Sequence, residues 1–312
     1  MAVHAAIDIG TNTLRLLVAD AVGPDDFTTL HEEQEITRLG EGLMPTRLLQ
    51  DVPRRRSLTV LRRFADLARS FKAVEVAAVC TSAVREAKNG EEFIAEVGRE
   101  VGLALRVIDG GEEARLTLIG IRHGLRLGSR RVLAIDIGGG STEFILAKGD
   151  VMEAVVSTGL GVVKLTERYL VNDPPTVDEQ RQLEEVVGTR IDRLLLELPG
   201  LGEARLVGTA GTVTTLAAID LALATYDRQK VQGHCLRLAR VREFLDRLAA
   251  LPLRERRGVP GLESGRADII LAGAAVLAVS MERLGYNELR VSDDGLREGI
   301  LLDLLAKQAR RA

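Results

Sequence analysis

Tryptophan is absent, and aromatic side chains make up only 3% of the 312 residues. A reader of single-stranded nucleic acid needs aromatic platforms on which bases stack, so no nucleic-acid partner is expected. Cysteine is nearly absent too. Cys80 and Cys235 stand alone, without a CxxC neighbour, which argues against a zinc site or a disulfide framework. Both are read as buried thiols in a reducing cytosol. Long apolar runs are also missing. Met1 to Asp20 is interrupted by Asp8 and Arg15, and Ile269 to Met281 is too short to span a bilayer and is bracketed by Asp268 and Glu282. No signal peptide or membrane partner is expected, and the reading is a soluble, cytoplasmic protein. A large charge excess is lacking as well: the net charge of −3 exerts no global pull on a polyanion, so an anionic ligand has to be held by local groups.

What remains is the composition of a globular protein, 46% apolar and 28% charged. The length exceeds one typical core, and no low-complexity linker interrupts it, so two domains are expected. The most informative feature is an internal echo. Ala6-Ile-Asp-Ile-Gly-Thr-Asn-Thr13 returns as Ala134-Ile-Asp-Ile-Gly-Gly-Gly-Ser141, and each copy runs on into a second apolar stretch, Leu14 to Asp20 and Phe144 to Lys148. Each copy reads as strand, tight turn, strand. Between the copies, strands at Val74 to Cys80 and Leu105 to Ile108 alternate with helices at Pro53 to Phe71, Gly90 to Val101 and Glu112 to His123. After the second copy, helices are expected at Gly161 to Leu170, Thr176 to Leu198, Thr212 to Ala224 and Ala239 to Leu251, with strands at Arg205 to Val207 and Glu288 to Val291. This is an α/β pattern with mixed sheets. The Gly- and Arg-rich stretch Gly124 to Arg131 marks the boundary, giving domains 1–125 and 126–312, with a final helix 296–309 that is a candidate to pack back on the first domain.

Several segments carry chemistry. In Asp136-Ile-Gly138-Gly139-Gly140-Ser141-Thr142-Glu143 the glycines let backbone N–H groups approach an anion closely, and Ser141 and Thr142 add hydroxyl donors. Asp136 and Glu143 place carboxylates beside that nest, and magnesium takes one or two carboxylates with phosphate and water. The plain alternative is a glycine-rich hairpin with incidental acids; the recurrence of carboxylates beside both turns weighs against it. A dinucleotide fold needs a helix directly after the glycines, and a P-loop needs a lysine, and neither follows here. In the first copy Gly10, Thr11, Asn12 and Thr13 form the matching loop, with Asp8 in the place of Asp136 and Arg15 just beyond it as a phosphate fork. Gly208, Thr209, Ala210, Gly211 and Thr212 make a third small-residue turn between a strand and a helix, a place for a nucleotide or phosphate; Thr212 as a bare helix cap is the plain alternative. Glu112 and Glu113 open a helix after a Gly-Gly turn, where they either complement the helix dipole or orient and deprotonate water. Arg85, at the end of Thr81-Ser-Ala-Val-Arg85, and Arg266 lie beside turns.

Taken together the ordered segments AIDIGTNTLRLL, TRLGEGL, TSAVREAKN, DGGEEARL, AIDIGGGSTEF, GTAGTVTTLA, GRADIILAG and VSDDGLREGIL resemble the exopolyphosphatase / guanosine pentaphosphate phosphatase family, a branch of the actin-like ATPase superfold, over nearly the whole chain. The resemblance implies two actin-like (ribonuclease H-like) domains with mixed sheets facing across a central cleft. It implies Glu113 as catalytic base, Asp136 and Glu143 as ligands of Mg²⁺ (Mn²⁺ as a substitute) with Asp8 as a further candidate, the two hairpin turns as phosphate loops, and Arg85 and Arg266 as phosphate contacts. The expected reaction is removal of the terminal phosphate of inorganic polyphosphate, with the 5′-phosphate of guanosine pentaphosphate, a stringent-response nucleotide, as alternative. A small-molecule kinase and a nucleotide-dependent assembly protein on the same superfold are the rival readings. Gln232 stands where relatives are expected to carry His before Gly233. The chain resembles a short form of the family, and a preference for short to medium polyphosphate chains is expected; a homodimer joining two clefts is the one protein partner considered.

Overall fold

A computed structural model describes residues 2–310. They divide into two units, one taking the chain up to His123 and again from Asp294, the other running Gly124–Asp293.

The first unit is built on a five-stranded sheet of β1 (Val3–Ile9), β2 (Thr13–Ala21), β3 (Phe27–Ile36), β4 (Glu75–Cys80) and β5 (Leu105–Val107), in the order β3-β2-β1-β4-β5. β1, β4 and β5 run parallel, while β2 and β3 are antiparallel additions. Strand periodicity sends alternate side chains to opposite faces. Ala5, Ile7, Ile9, Leu14, Leu16 and Val18 pack on helices Asp51–Ser70 and Gly90–Val101 through Leu61, Phe64, Phe93 and Val97. Ala6, Leu17, Ala19 and Val79 pack the other way, on Leu116 of helix Gly110–Leu125 and on Leu296, Ile300, Leu301 and Leu305 of helix Leu296–Ala309. A sheet covered on both faces reads as nearly continuous apolar sequence, which is why β1 and β2 are so visible in the chain. The final helix therefore belongs to the first unit, and a plain division at residue 125 misplaces it: its apolar stripe is buried on β1 and β2.

The second unit repeats the design with β6 (Arg131–Ile137), β7 (Thr142–Lys148), β8 (Val151–Thr158), β9 (Arg205–Thr209), β10 (Cys235–Arg237) and β11 (Glu288–Val291), ordered β10-β11-β9-β6-β7-β8. Read from β8, the succession β8-β7-β6-β9-β11 matches β3-β2-β1-β4-β5 in order and direction, so the echo in sequence is an echo in topology. The apolar run near residue 270 becomes helix Ile270–Leu284, buried continuously from Ile270 to Met281. A helix apolar all round is a core helix, and no helix among the described residues is long and apolar enough to cross a membrane.

Three strands escape the sequence reading. β3 carries three glutamates, Glu32, Glu33 and Glu35, and lies at an edge, with its side chains exposed or half-buried. β8 is the equivalent edge of the other sheet, and β10 has only three residues. Pairing with a neighbour, rather than an apolar stripe of their own, holds these strands. Cysteine is corrected in part: Cys80 is buried, its thiol pushed up to about 12 by burial and then by Asp8, whereas Cys235 is exposed on the short strand β10.

Helices Gly110–Leu125 and Leu296–Ala309 touch through glycine. A methyl group on Gly299 would collide with the carbonyl of Leu116, and one on Gly120 with that of Gly295. Both obstacles are backbone, which cannot swing aside. Gly299→Ala is expected to destabilise the protein by about 1–3 kcal/mol through overpacking, measured as a lower urea midpoint; an unchanged midpoint would show that the two helices separate freely.

A second expectation concerns the points where the chain leaves and re-enters the first unit. His123 Nδ1 meets Asp294 at 3.0 Å, Nε2 meets Asp26 at 3.3 Å, and Phe27 stacks on the ring at 4.9 Å. The hydrogen bond to Asp294 raises the imidazole pKa above 6.5 against the opposing effect of burial, with Asp26 helping. A folded value above the unfolded one means stability fully present below about pH 6.5 and lost as pH rises through the folded value. Urea midpoints at pH 6 and pH 8.5 should therefore fall further for the parent protein than for His123→Asn; equal falls would remove His123 from the pH response.

Candidate active site

In open α/β sheets, ligands gather beyond the carboxyl ends of the parallel strands. In the first unit Ile9 of β1, Cys80 of β4 and Val107 of β5 stand side by side. The chain leaves these ends as the loop Gly10–Thr13, the segment Thr81–Arg85 and the turn before Glu113. In the second unit β6 and β9 end together near Asp136 and Thr209, and β11 ends beside them, Val291 opposite Gly208. There the emerging segments are Gly138–Thr142, Ala210–Thr212 and Ser292–Gly295. Every segment singled out in the sequence thus lies at the carboxyl edge of its sheet, except Arg266, which another contact brings there.

The two hairpin loops share one construction. The carbonyls of Thr11 and Asn12 accept hydrogen bonds from Gly40 (2.8 Å) and Arg38 (2.9 Å). Those of Gly138 and Gly139 accept from Val162 (3.1 Å) and Val163 (3.0 Å), the first residues of helix Val162–Tyr169. A trans peptide points its N–H opposite to its C=O. Pinning two consecutive carbonyls therefore aims two consecutive N–H groups the other way, those of Asn12 and Thr13 in one loop and of Gly139 and Gly140 in the other. Such a pair is an anion nest. Thr11 is further fixed by its hydroxyl contact with Ser82 Oγ at 2.8 Å, and Thr142 by donating to the carbonyl of Leu160 at 2.7 Å. The segments that pin the loops, Arg38–Gly40 and Gly161–Val163, carried no role in the sequence reading. Their signal was small residues in TRLGEGL and in Gly159-Leu160-Gly161.

The loops differ in what stands across the hairpin. Asp8 is the cross-strand partner of Arg15, whereas Asp136 is the partner of Glu143. Directly opposed residues share a face with their Cβ atoms about 5 Å apart, and like charges so placed repel. Asp136 and Glu143 are both buried, and Ser157 Oγ donates to Glu143 Oε1 at 2.7 Å. The first hairpin therefore sets a carboxylate across from a guanidinium, and the second sets two carboxylates across from each other.

Glu112 and Glu113 are separated by their surroundings. Glu112 is half-buried and engaged by Arg106 at 2.6 Å. Glu113 is buried, 8% exposed, and its Oε2 receives Arg85 Nη1 at 3.2 Å while the same nitrogen donates to the carbonyl of Ile108 at 2.6 Å. Arg85 and Glu113 are thereby brought together, the arginine fixing the carboxylate. In the second unit helix Ala210–Asp220 begins at Ala210, whose φ of 67° is left-handed, and its N-cap, Thr209, makes no side-chain cap bond. Thr212 lies inside the helix, so the cap alternative for it fails. The buried guanidinium of Arg266 lies against Gly211, where any side chain would collide with it. Gln232 faces the segment after β11, its Oε1 accepting from the N–H of Asp293 at 2.5 Å. Among the described residues no three His, Cys, Asp or Glu side chains converge as a metal site.

A family model described as the Ppx/GppA phosphatase family matches residues 17–308. The chain belongs to that family. Exopolyphosphatase 2 of Mycobacterium tuberculosis is 35% identical over 312 residues, spanning 96% of this chain and 98% of the relative. Among solved structures, the Aquifex aeolicus Ppx/GppA protein is 35% identical with a TM-score of 0.82 over 98% of both chains. An exopolyphosphatase from Cytophaga hutchinsonii is 29% identical with a TM-score of 0.87, again over 98% of both chains. The Ppx/GppA chain thus has the two-sheet actin-like fold that the resemblance implied, and membership of a phosphatase family sets it apart from the kinase and assembly-protein readings.

Proposed function

We propose that the chain is an exopolyphosphatase, a phosphoanhydride hydrolase that releases orthophosphate from the end of inorganic polyphosphate. The observation that carries this reading is the repeated hairpin whose loop carbonyls are held back, leaving paired N–H groups for phosphate oxygens in both units. Phosphoryl transfer is chiefly a matter of positioning and of offsetting charge. In the proposed mechanism the N–H groups of both loops, with Arg15, Arg85 and Arg266, bind and orient phosphate oxygens. Glu113 accepts a proton from water as the water oxygen attacks the terminal phosphorus; the anhydride P–O bond breaks, and its electrons remain on the departing phosphate oxygen. Arg85 keeps the Glu113 carboxylate in one place during that transfer.

Asp136 and Glu143 suit a divalent cation by their chemistry: two opposed, buried carboxylates supply hard oxygen ligands in the number magnesium takes when phosphate and water complete its shell. Bound there, Mg²⁺ supplies positive charge against the phosphate oxygens. Asp136→Asn and Glu143→Gln are each expected to raise the magnesium concentration for half-maximal rate by about tenfold, read from a magnesium titration of activity. An unchanged midpoint in both variants would reject the assignment.

Free phosphate released by the pure protein from polyphosphate, with no acceptor added, tests the function directly. Guanosine pentaphosphate forms the second arm of the assay. Release from the nucleotide alone would replace polyphosphate as substrate, and release from neither would overturn the proposal.

A further inference from the structure

Arg256 is among the most deeply buried charges in the second unit, 3% exposed, and no role has been given to it above. A buried guanidinium is expensive unless every donor is engaged. Here Nε donates to the carbonyl of Leu248 at 3.0 Å, Nη2 to that of Leu251 at 2.8 Å and Nη1 to that of Ala267 at 3.0 Å. Asp173, a carboxylate within ion-pair range, is half exposed and stands 3.8 Å away. Burial accordingly lowers the pKa of the group, opposed by Asp173 and Asp268. Two of the carbonyls lie at the end of helix Leu238–Ala249, where backbone oxygens have no intrahelical partner and the helix dipole favours a cation. Capping that helix needs only those two bonds. The third crosses to the residue that follows Arg266.

We infer that Arg256 is a positioning residue for Arg266, setting the affinity for phosphate by holding the turn that carries it. The inference rests on the reading of Arg266 as a phosphate ligand. The surrounding contacts make the turn a clamped strap. Asp173 accepts from the N–H of Leu253 at 2.8 Å where the segment begins. Gly261, with a φ of 84°, passes so close to the carbonyl of Ala218 on helix Ala210–Asp220 that a side chain would collide. The N–H of Arg266 bonds the carbonyl of Glu263 at 2.8 Å, and its Nε bonds the Glu263 carboxylate at the same distance. Arg256 closes the strap at Ala267, and the guanidinium of Arg266 then lies on Gly211, at the start of the helix that follows β9. A shift of the turn by a fraction of an ångström would carry Arg266 off that surface without touching β9 or the second loop.

The test is a double-variant comparison of KM and kcat on polyphosphate of one defined length. Arg266→Met is expected to raise KM by about 10- to 100-fold, as loss of a charged contact does. Arg256→Met is expected to raise KM by about tenfold with kcat within about threefold, and to raise it no further when Arg266→Met is already present, because both changes remove one contact. Should Arg256→Met fail to fold, Arg256→Lys carries the same comparison; lysine keeps the charge but cannot span three carbonyls, so a rise of about threefold is expected, again absent in the Arg266→Met background. A folded Arg256 variant with unchanged KM, a loss confined to kcat, or effects that multiply in the double variant would overturn the inference. If Arg266→Met alone leaves KM unchanged, the phosphate reading of Arg266 fails and the inference falls with it, an outcome recognised from the single variant.

Discussion

Glu113→Gln is expected to fold as the parent does and to turn over polyphosphate about 10²–10⁴-fold more slowly. The amide is nearly isosteric with the carboxylate, and its oxygen still accepts from Arg85, so the contact fixing the turn between β5 and helix Gly110–Leu125 survives. What is lost is the group that, in the proposed mechanism, takes the proton from water. Glu112 cannot substitute, because it belongs to Arg106 and points to a more exposed setting. Glu112→Gln should therefore keep near-normal turnover. Phosphate release by the two variants, each with a thermal melt to verify folding, separates the neighbours. A folded Glu113→Gln with near-normal activity would show that the base lies elsewhere or that the substrate's own phosphate accepts the proton.

Gly161→Ala should lose about 10²-fold in kcat/KM while melting close to the parent. Its methyl group would fall on the backbone carbonyls of Gly140 and Gly139. Either the loop or the start of helix Val162–Tyr169 must then move, and the bonds from Val162 and Val163 that hold the loop carbonyls are lost or bent. The N–H groups of Gly139 and Gly140 turn with them, and a displacement of about 1 Å in a phosphate-positioning loop is enough for a loss of this size. The change sits at a helix start rather than in the core, so the fold has little to lose. Steady-state kinetics and melting together form the check: full activity would show that the loop tolerates the displacement, and a collapse in melting temperature would assign Gly161 to stability.

The strongest part of the sequence signal was the pair of hairpins. β1, β2, β6 and β7 are buried on both faces, so their apolar runs and the glycine turns between them are conspicuous in the chain. Helices Asp51–Ser70 and Val177–Glu197 were legible by their periodicity. The edge strands were not, because β3 and β8 owe their conformation to partners distant in sequence. The resemblance to a family supplied the choice of Glu113 over Glu112; burial and separate arginine partners now give that choice a physical ground.

By itself the sequence determined the doubled strand-turn-strand design, the glycine turns and the acids and hydroxyls beside them, because these depend on local alternation and on residues without side chains. Tertiary structure decided the rest. It placed the last helix on the first sheet, set Asp136 across from Glu143 but Asp8 across from Arg15, pinned the loop carbonyls so that their N–H groups turn outward, and laid Arg266 on Gly211. Each of these is a meeting of residues from different elements, set by strand register and packing, and register is fixed only when the faces of a sheet are buried together.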